Sequence, residues 1–106
     1  MIYHITTTAG LEIFDNQSHY KADSLDSEGF IHCCSTYEQL QGVVKRYYAD
    51  TTNMLVLHIN EKALDCELKY ELAPNSNEIY PHVFGPIVKT AIVNVTTFWK
   101  FMILLI

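Results

Sequence analysis

The apolar positions of this chain follow two rhythms, one of strands and one of a helix. Ile2 to Thr6 is apolar and β-branched, which predicts a strand. Thr7 or Thr8 can cap a short helix reaching about Asn16, with Leu11 and Phe14 on one face. Tyr20 to Leu25 reads as extended and then turning, and Asp26-Ser27-Glu28-Gly29 as the turn. Phe30 to Cys34 predicts a buried strand. Leu40, Val43, Val44, Tyr47 and Tyr48 then recur at helical spacing, and predict a helix buried through Leu40, Val43, Val44 and Tyr47. Ser35-Thr36-Tyr37-Glu38 reads as its capping box, with Ser35 as N-cap and Glu38 at N3. Met54 to Ile59 is a second apolar strand, and Glu67 to Leu72 alternates like a strand. Ala73 to Glu78, with Pro74 and two asparagines, is a polar loop. Ile87 to Thr97 is one long or two short strands. The expected architecture is a single α+β domain over residues 1–106, with two short helices and mostly antiparallel strands.

Composition narrows the picture. Hydrophobic residues make up 49% of the 106 residues and charged residues 18%, which predicts a folded globule. The formal net charge is −5 and Arg46 is the only arginine. With no basic stripe, extended nucleic acid is not an expected partner, whereas a small anionic ligand needs only a few donors. Cys33, Cys34 and Cys66 form neither an even set nor a CxxC, so neither a disulfide framework nor a zinc or redox motif is read, and a reducing cytoplasmic setting is expected. No basic n-region opens the chain, so no signal peptide is expected. The apolar stretch Phe98 to Ile106 is too short for a membrane helix. It is expected to cover the core or to serve a contact between copies of the chain.

Candidate chemistry lies in three segments, each setting one histidine in an apolar run: Ile2-Tyr3-His4-Ile5, Glu28-Gly29-Phe30-Ile31-His32-Cys33-Cys34-Ser35 and Tyr80-Pro81-His82-Val83-Phe84-Gly85-Pro86. Imidazole is the side chain whose unperturbed pKa lies near neutrality, so it suits acid–base work, metals and phosphates. His4 shares a strand face with Ile2 and Thr6, and reads either as a core histidine bonded to a carbonyl or as a site residue. His32 shares a face with Phe30, while Ile31 and Cys33 face the other way. Ser35, at a helix start, combines a hydroxyl with free backbone N–H groups and reads as a cap, an anion contact, or both. The two prolines and glycine around His82 read as a stiff loop or an edge strand. His19 is expected in solvent and His58 facing outward from a strand. The histidine spacing matches no metal motif, so no metal site is expected. Cys33 and Cys34 read as small buried hydrophobes. No Ser-His-Asp signature or glycine-rich phosphate loop is legible.

These segments, with Ser24-Leu25, Leu55-Val56-Leu57-His58-Ile59 and Leu68-Lys69-Tyr70-Glu71, resemble a bacterial family known as domain of unknown function 952, from Ile2 to about Val95. That family is similar to the ADP-ribosyltransferase fold, a split antiparallel sheet that cradles NAD. The resemblance implies that His4 takes the first-strand position that holds a ribose, and that His32 and Ser35 match the second region. The third region falls near Tyr80 and His82 and has no obvious catalytic glutamate, with Glu71 and Glu78 nearby. Within the family, Cys34 and Tyr70 depart from the usual pattern. The implied function is a cleft for a nucleotide-like or phosphorylated ligand, NAD as a substrate among them, with transferase chemistry or with binding alone. The expected site then has His82, His32 and Glu71 in catalytic roles, and His4, His32, Ser35 and Tyr80 in contact with the ligand.

Overall fold

The computed structural model describes residues 1–98. Among the described residues, eight strands and three α-helices follow in the order β1 (Ile2–Thr7), α1 (Thr8–Glu12), β2 (His19–Tyr20), α2 (Asp23–Glu28), β3 (Ile31–His32), α3 (Tyr37–Tyr47), β4 (Met54–Ile59), β5 (Leu68–Leu72), β6 (Ile79–Val83), β7 (Ile87–Val88) and β8 (Ile92–Thr97). All pairings between them are antiparallel. They form three small sheets ordered β1-β4-β8, β2-β7 and β3-β6-β5. The molecule is therefore a single α+β domain of antiparallel sheets, with three α-helices where two were expected. No helix among the described residues is long and apolar enough to cross a membrane.

Pleat alternation splits the apolar residues of β1 and β4 between two cores. Ile2, Leu57 and Ile59 join Ile31, Cys33 and Val83 from the β3-β6-β5 sheet in one cluster. Ile5, Met54 and Val56 face α3 and pack with Leu40, Val44, Cys34 and Phe98 in the other. The α3 stripe is thus buried at Leu40 and Val44 and half-buried at Val43, but Tyr47 is 74% exposed. Tyr47 is the last residue of the helix.

Several local expectations give way to the backbone. The N-cap of α3 is Thr36, whose Oγ1 accepts from Gln39 N at 3.1 Å; it is not Ser35. The N3 side chain is that of Gln39, and its Oε1 accepts from Ser35 N at 2.8 Å. The cap lies one residue later than the sequence reading placed it, and the N3 side chain reaches the N–H before the cap instead of that of the cap itself. Asp23 to Glu28 is helical rather than a turn, and closes on Gly29 at φ 90, a left-handed conformation that glycine adopts at no steric cost. Of the Tyr80–Pro86 segment, Tyr80 to Val83 is not loop but part of Ile79–Val83, the central strand of its sheet, and only Phe84 to Pro86 lies outside a strand.

Pro81 explains why the predicted Phe30–Cys34 strand is divided. Cys33 N donates to the Pro81 carbonyl at 3.1 Å. The reciprocal bond cannot form, because proline has no N–H. Pairing of β3 with β6 stops there. Cys34 turns instead to β1 and exchanges both backbone bonds with Tyr3, at 2.8 and 2.7 Å. One short segment thereby joins two sheets, and the histidines sit at that junction.

Candidate functional site

The register of the β3-β6-β5 sheet decides which side chains meet. His32 pairs directly with His82, and His82 with Lys69 on the far side. Glu71 pairs with Tyr80, which places it diagonally from His82 on the same face. Ile31 and Val83 point the opposite way into the core. Fully buried Ile31 and Val83 thus fix the register, and the register brings the polar residues together.

His82 is the best-anchored member. It is 9% exposed, and its Nδ1 lies 2.8 Å from Glu71 Oε1. The Phe30 ring stacks on it at 4.1 Å with an interplanar angle of 22°. His82 Nε2 has no protein partner among the described residues, yet none of their buried side-chain polar atoms is left unpaired, so this nitrogen is accessible. His32 stands edge-on to His82, with ring centroids 5.5 Å apart. Its Nε2 lies 3.0 Å from Glu28 Oε2, and its side chain is exposed. Each imidazole is thus oriented by its own carboxylate and keeps one ring nitrogen without a protein partner among the described residues.

His4 lies beneath this face. The His32 carbonyl can only accept, so the 2.6 Å contact from His4 Nδ1 assigns the ring hydrogen to that nitrogen. Burial lowers the His4 pKa to about 4 and keeps the ring neutral, so Nε2 accepts from the Tyr20 hydroxyl at 2.9 Å. Tyr20 is itself buried, which raises its pKa to about 12, and its hydroxyl pairs with that of Thr6 at 3.1 Å. Both nitrogens of His4 are engaged within the protein. Of the two sequence readings, the carbonyl-bonded core histidine describes this arrangement.

A broad open groove runs past these residues, with His32, His82, Phe30, Tyr80, Gln39 and Arg46 along its wall. Arg46 Nη2 donates to the Tyr80 hydroxyl at 3.1 Å, and its remaining donors point to no other acceptor among the described residues. The neighbouring thiols Cys33 and Cys34 supply no thiolate. Burial raises the Cys34 pKa to about 12 and pushes that of Cys33 up as well, so both stay protonated at neutral pH. Among the described residues, no group of three or more His, Cys, Asp or Glu side chains is placed to hold a metal ion.

The sequence signature of a family described as protein of unknown function (DUF952) matches residues 5–95. The chain belongs to this family. No curated protein matches this DUF952 chain. Its fold is shared with the Caulobacter crescentus protein CC0527. The crystal structure of that protein superposes with a TM-score of 0.79 at 22% identity, covering 91% of this chain and 83% of that one. The solution structure of CC0527 gives a TM-score of 0.75 at 22% identity, covering 90% and 81%.

The DUF952 fold brings His32, His82, Glu71 and Tyr80 to one sheet face, with His4 directly behind His32. It does not bring Ser35 in as an anion cradle, since its backbone N–H is taken by Gln39 and the cap is Thr36. Glu78 accepts from Gln39 Nε2 at 3.0 Å, on the groove side. His58 is half-buried, bonds Thr96 at 2.9 Å and stands edge-on to Tyr3, apart from the groove lining. Two residues missed by sequence reasoning stand out. Phe30 was placed by alternation on the His32 face but given no role, and Arg46 had only its uniqueness as a signal. One arrangement invisible in the sequence also lies off the groove. Ser18 Oγ, His19 and Asp65 form a hydrogen-bonded chain, with His19 Nδ1 2.7 Å from Ser18 and Nε2 2.8 Å from Asp65. It sits on the open surface, outside the lining of the groove described above.

Proposed function

We propose that the groove binds a small nucleotide-like or otherwise phosphorylated ligand, NAD among the candidates, and that His82 acts on it as a general acid or base in a transfer reaction. The observation that carries this reading is the His82–Glu71 contact at 2.8 Å beside an accessible Nε2. A carboxylate on one imidazole nitrogen fixes the ring's orientation and tautomer and leaves the other nitrogen to exchange a proton with a ligand. Phe30 holds the same ring from its flat side. Arg46 supplies a planar guanidinium suited to phosphate oxygens. The similarity of the family's motifs to the ADP-ribosyltransferase fold supports a ribose-containing ligand. Glu71 departs from that fold's usual glutamate, because it is bonded to an imidazole instead of facing the groove. Its role here is to position His82.

Binding is tested by thermal shift with NAD, ADP-ribose and nucleoside monophosphates, since a ligand that binds only the native state raises its melting temperature. At least one of these is expected to stabilise the wild type and to lose that effect in Arg46→Ala. No stabilisation by any of them contradicts the reading. Stabilisation without turnover makes the domain a binding module.

A further inference from the structure

Resting on that reading of the groove, we propose that His32 and His82 work as a proton-donor and proton-acceptor couple, and that the substrate is a small ribonucleotide phosphodiester with a hydroxyl next to the phosphate. Three observations lead there. The two rings occupy directly paired positions on β3 and β6 and stand 5.5 Å apart at 79°. They are anchored separately, His82 by Glu71 at 2.8 Å and His32 by Glu28 at 3.0 Å. They are not bonded to each other, both line the groove, and each keeps one ring nitrogen without a protein partner among the described residues.

A single imidazole suffices for one proton transfer. Displacement at phosphorus needs two at once, because the attacking oxygen must lose a proton while the leaving oxygen gains one. In the first step the neighbouring hydroxyl attacks phosphorus, and its proton passes to the neutral imidazole. The new O–P bond forms as the bond to the leaving oxygen breaks, and the protonated imidazole gives its proton to that oxygen. The products are a cyclic phosphate and a free alcohol, and the two rings have exchanged protonation states. Attack of water on the cyclic phosphate then runs the transfers in reverse, yields a phosphomonoester and restores both rings. Water is the only co-reactant, and no metal enters the sequence. Arg46, one wall over at Tyr80, is the cation available to the phosphate oxygens. The chain carries a net charge of −5, which suits a mononucleotide or dinucleotide and not long RNA.

The test follows hydrolysis of cytidine 2′,3′-cyclic phosphate and cleavage of a uridylyl-adenosine dinucleotide, by wild type and by His32→Gln, His82→Gln and Glu28→Gln purified in parallel. Binding of cytidine 3′-monophosphate to each is measured by calorimetry. The couple predicts a bell-shaped pH profile for kcat/KM and a loss of about 10²- to 10⁴-fold in kcat for either histidine variant. Glu28→Gln is expected to retain the fold and lose less. His32 is exposed, so its variant keeps the test decisive if His82→Gln fails to fold. Turnover unchanged in His32→Gln, or absent from wild type that still binds the monophosphate, overturns the couple but leaves the binding reading standing. Absence of both turnover and binding overturns the two together.

Discussion

His4 holds the backbone of His32: its Nδ1–H donates to the His32 carbonyl across 2.6 Å, with the ring itself buried. The carbonyl lies where the chain leaves β6 for β1, and Cys33, not His32, is the residue bonded to Pro81. A carbonyl enclosed there without a donor would cost about 1–3 kcal/mol. His4 removes that cost and fixes the strand that carries the site.

Burial of the His4 ring gives the fold a pH dependence of definite sign. The folded His4 titrates at about 4 because burial disfavours its charged form, against 6.5 for the model group. Between those values the unfolded chain binds a proton that the native one does not. Stability therefore falls as pH drops through 6.5 towards about 4 and stops falling on this account below it, by roughly 3 kcal/mol in all. Urea unfolding at stepped pH, run on wild type and His4→Gln, checks this. The variant is less stable at neutral pH and shows the shallower slope across the window; parallel curves rule His4 out as the source.

The cap of α3 separates two neighbouring residues. Thr36→Ala removes the side chain bonded to Gln39 N and is expected to cost about 1 kcal/mol. Ser35→Ala leaves the same backbone bond to Gln39 in place and is expected to change stability by less than about 0.5 kcal/mol. Chemical denaturation of the two variants side by side decides between them, and a larger loss at Ser35 would return the cap to that position.

Gly85 is held by space. A Cβ built on it would stand 2.7 Å from Cys66 Cβ, closer than two carbons can approach without a shift of backbone. Gly85→Ala is expected to destabilise by about 1–3 kcal/mol, the usual range for overpacking. Gly85→Ala combined with Cys66→Gly should recover part of that loss in thermal melts. No recovery would locate the strain elsewhere.

His82→Gln is expected to leave far-ultraviolet circular dichroism unchanged and to lower turnover on an accepted substrate by about 10²- to 10⁴-fold. Glu71→Gln should act in the same direction and more weakly, because it alters the orientation of the ring and removes no reacting group. Loss of the fold in His82→Gln would make this imidazole a structural hub stacked on Phe30.

Much of this architecture was legible from periodicity. Met54–Ile59 matched its apolar run, and the stripe from Leu40 to Val44 marked α3. Ile87 to Thr97 resolved into two strands, as one of its two readings held. The misses have physical causes. α2 buries none of its residues, so no apolar stripe announced it. The two prolines around His82 argued for a loop, yet Pro81 sits in a central strand at the point where its missing donor ends a ladder. The three histidines were legible as separate candidates, and the meeting of His32 with His82 followed once the strands paired. The Glu71–His82 contact was not legible, because a diagonal pair depends on register, and register depends on the buried faces of strands far apart in sequence. The expectation that residues 99–106 cover the core or join copies of the chain lies outside the described residues; Phe98 is buried against α3 and β4.

The central claim is that a small phosphorylated nucleotide occupies the groove at His32 and His82. Its most direct test is the set of histidine ring resonances followed by NMR during titration with ADP-ribose and with cytidine 3′-monophosphate. Five histidines give the experiment its own controls. The account predicts saturable shifts of the His32 and His82 rings, with His19 and His58, which do not line the groove, unmoved. Shifts confined to His19 or His58, or no saturable shift at any ring with either nucleotide, would contradict it.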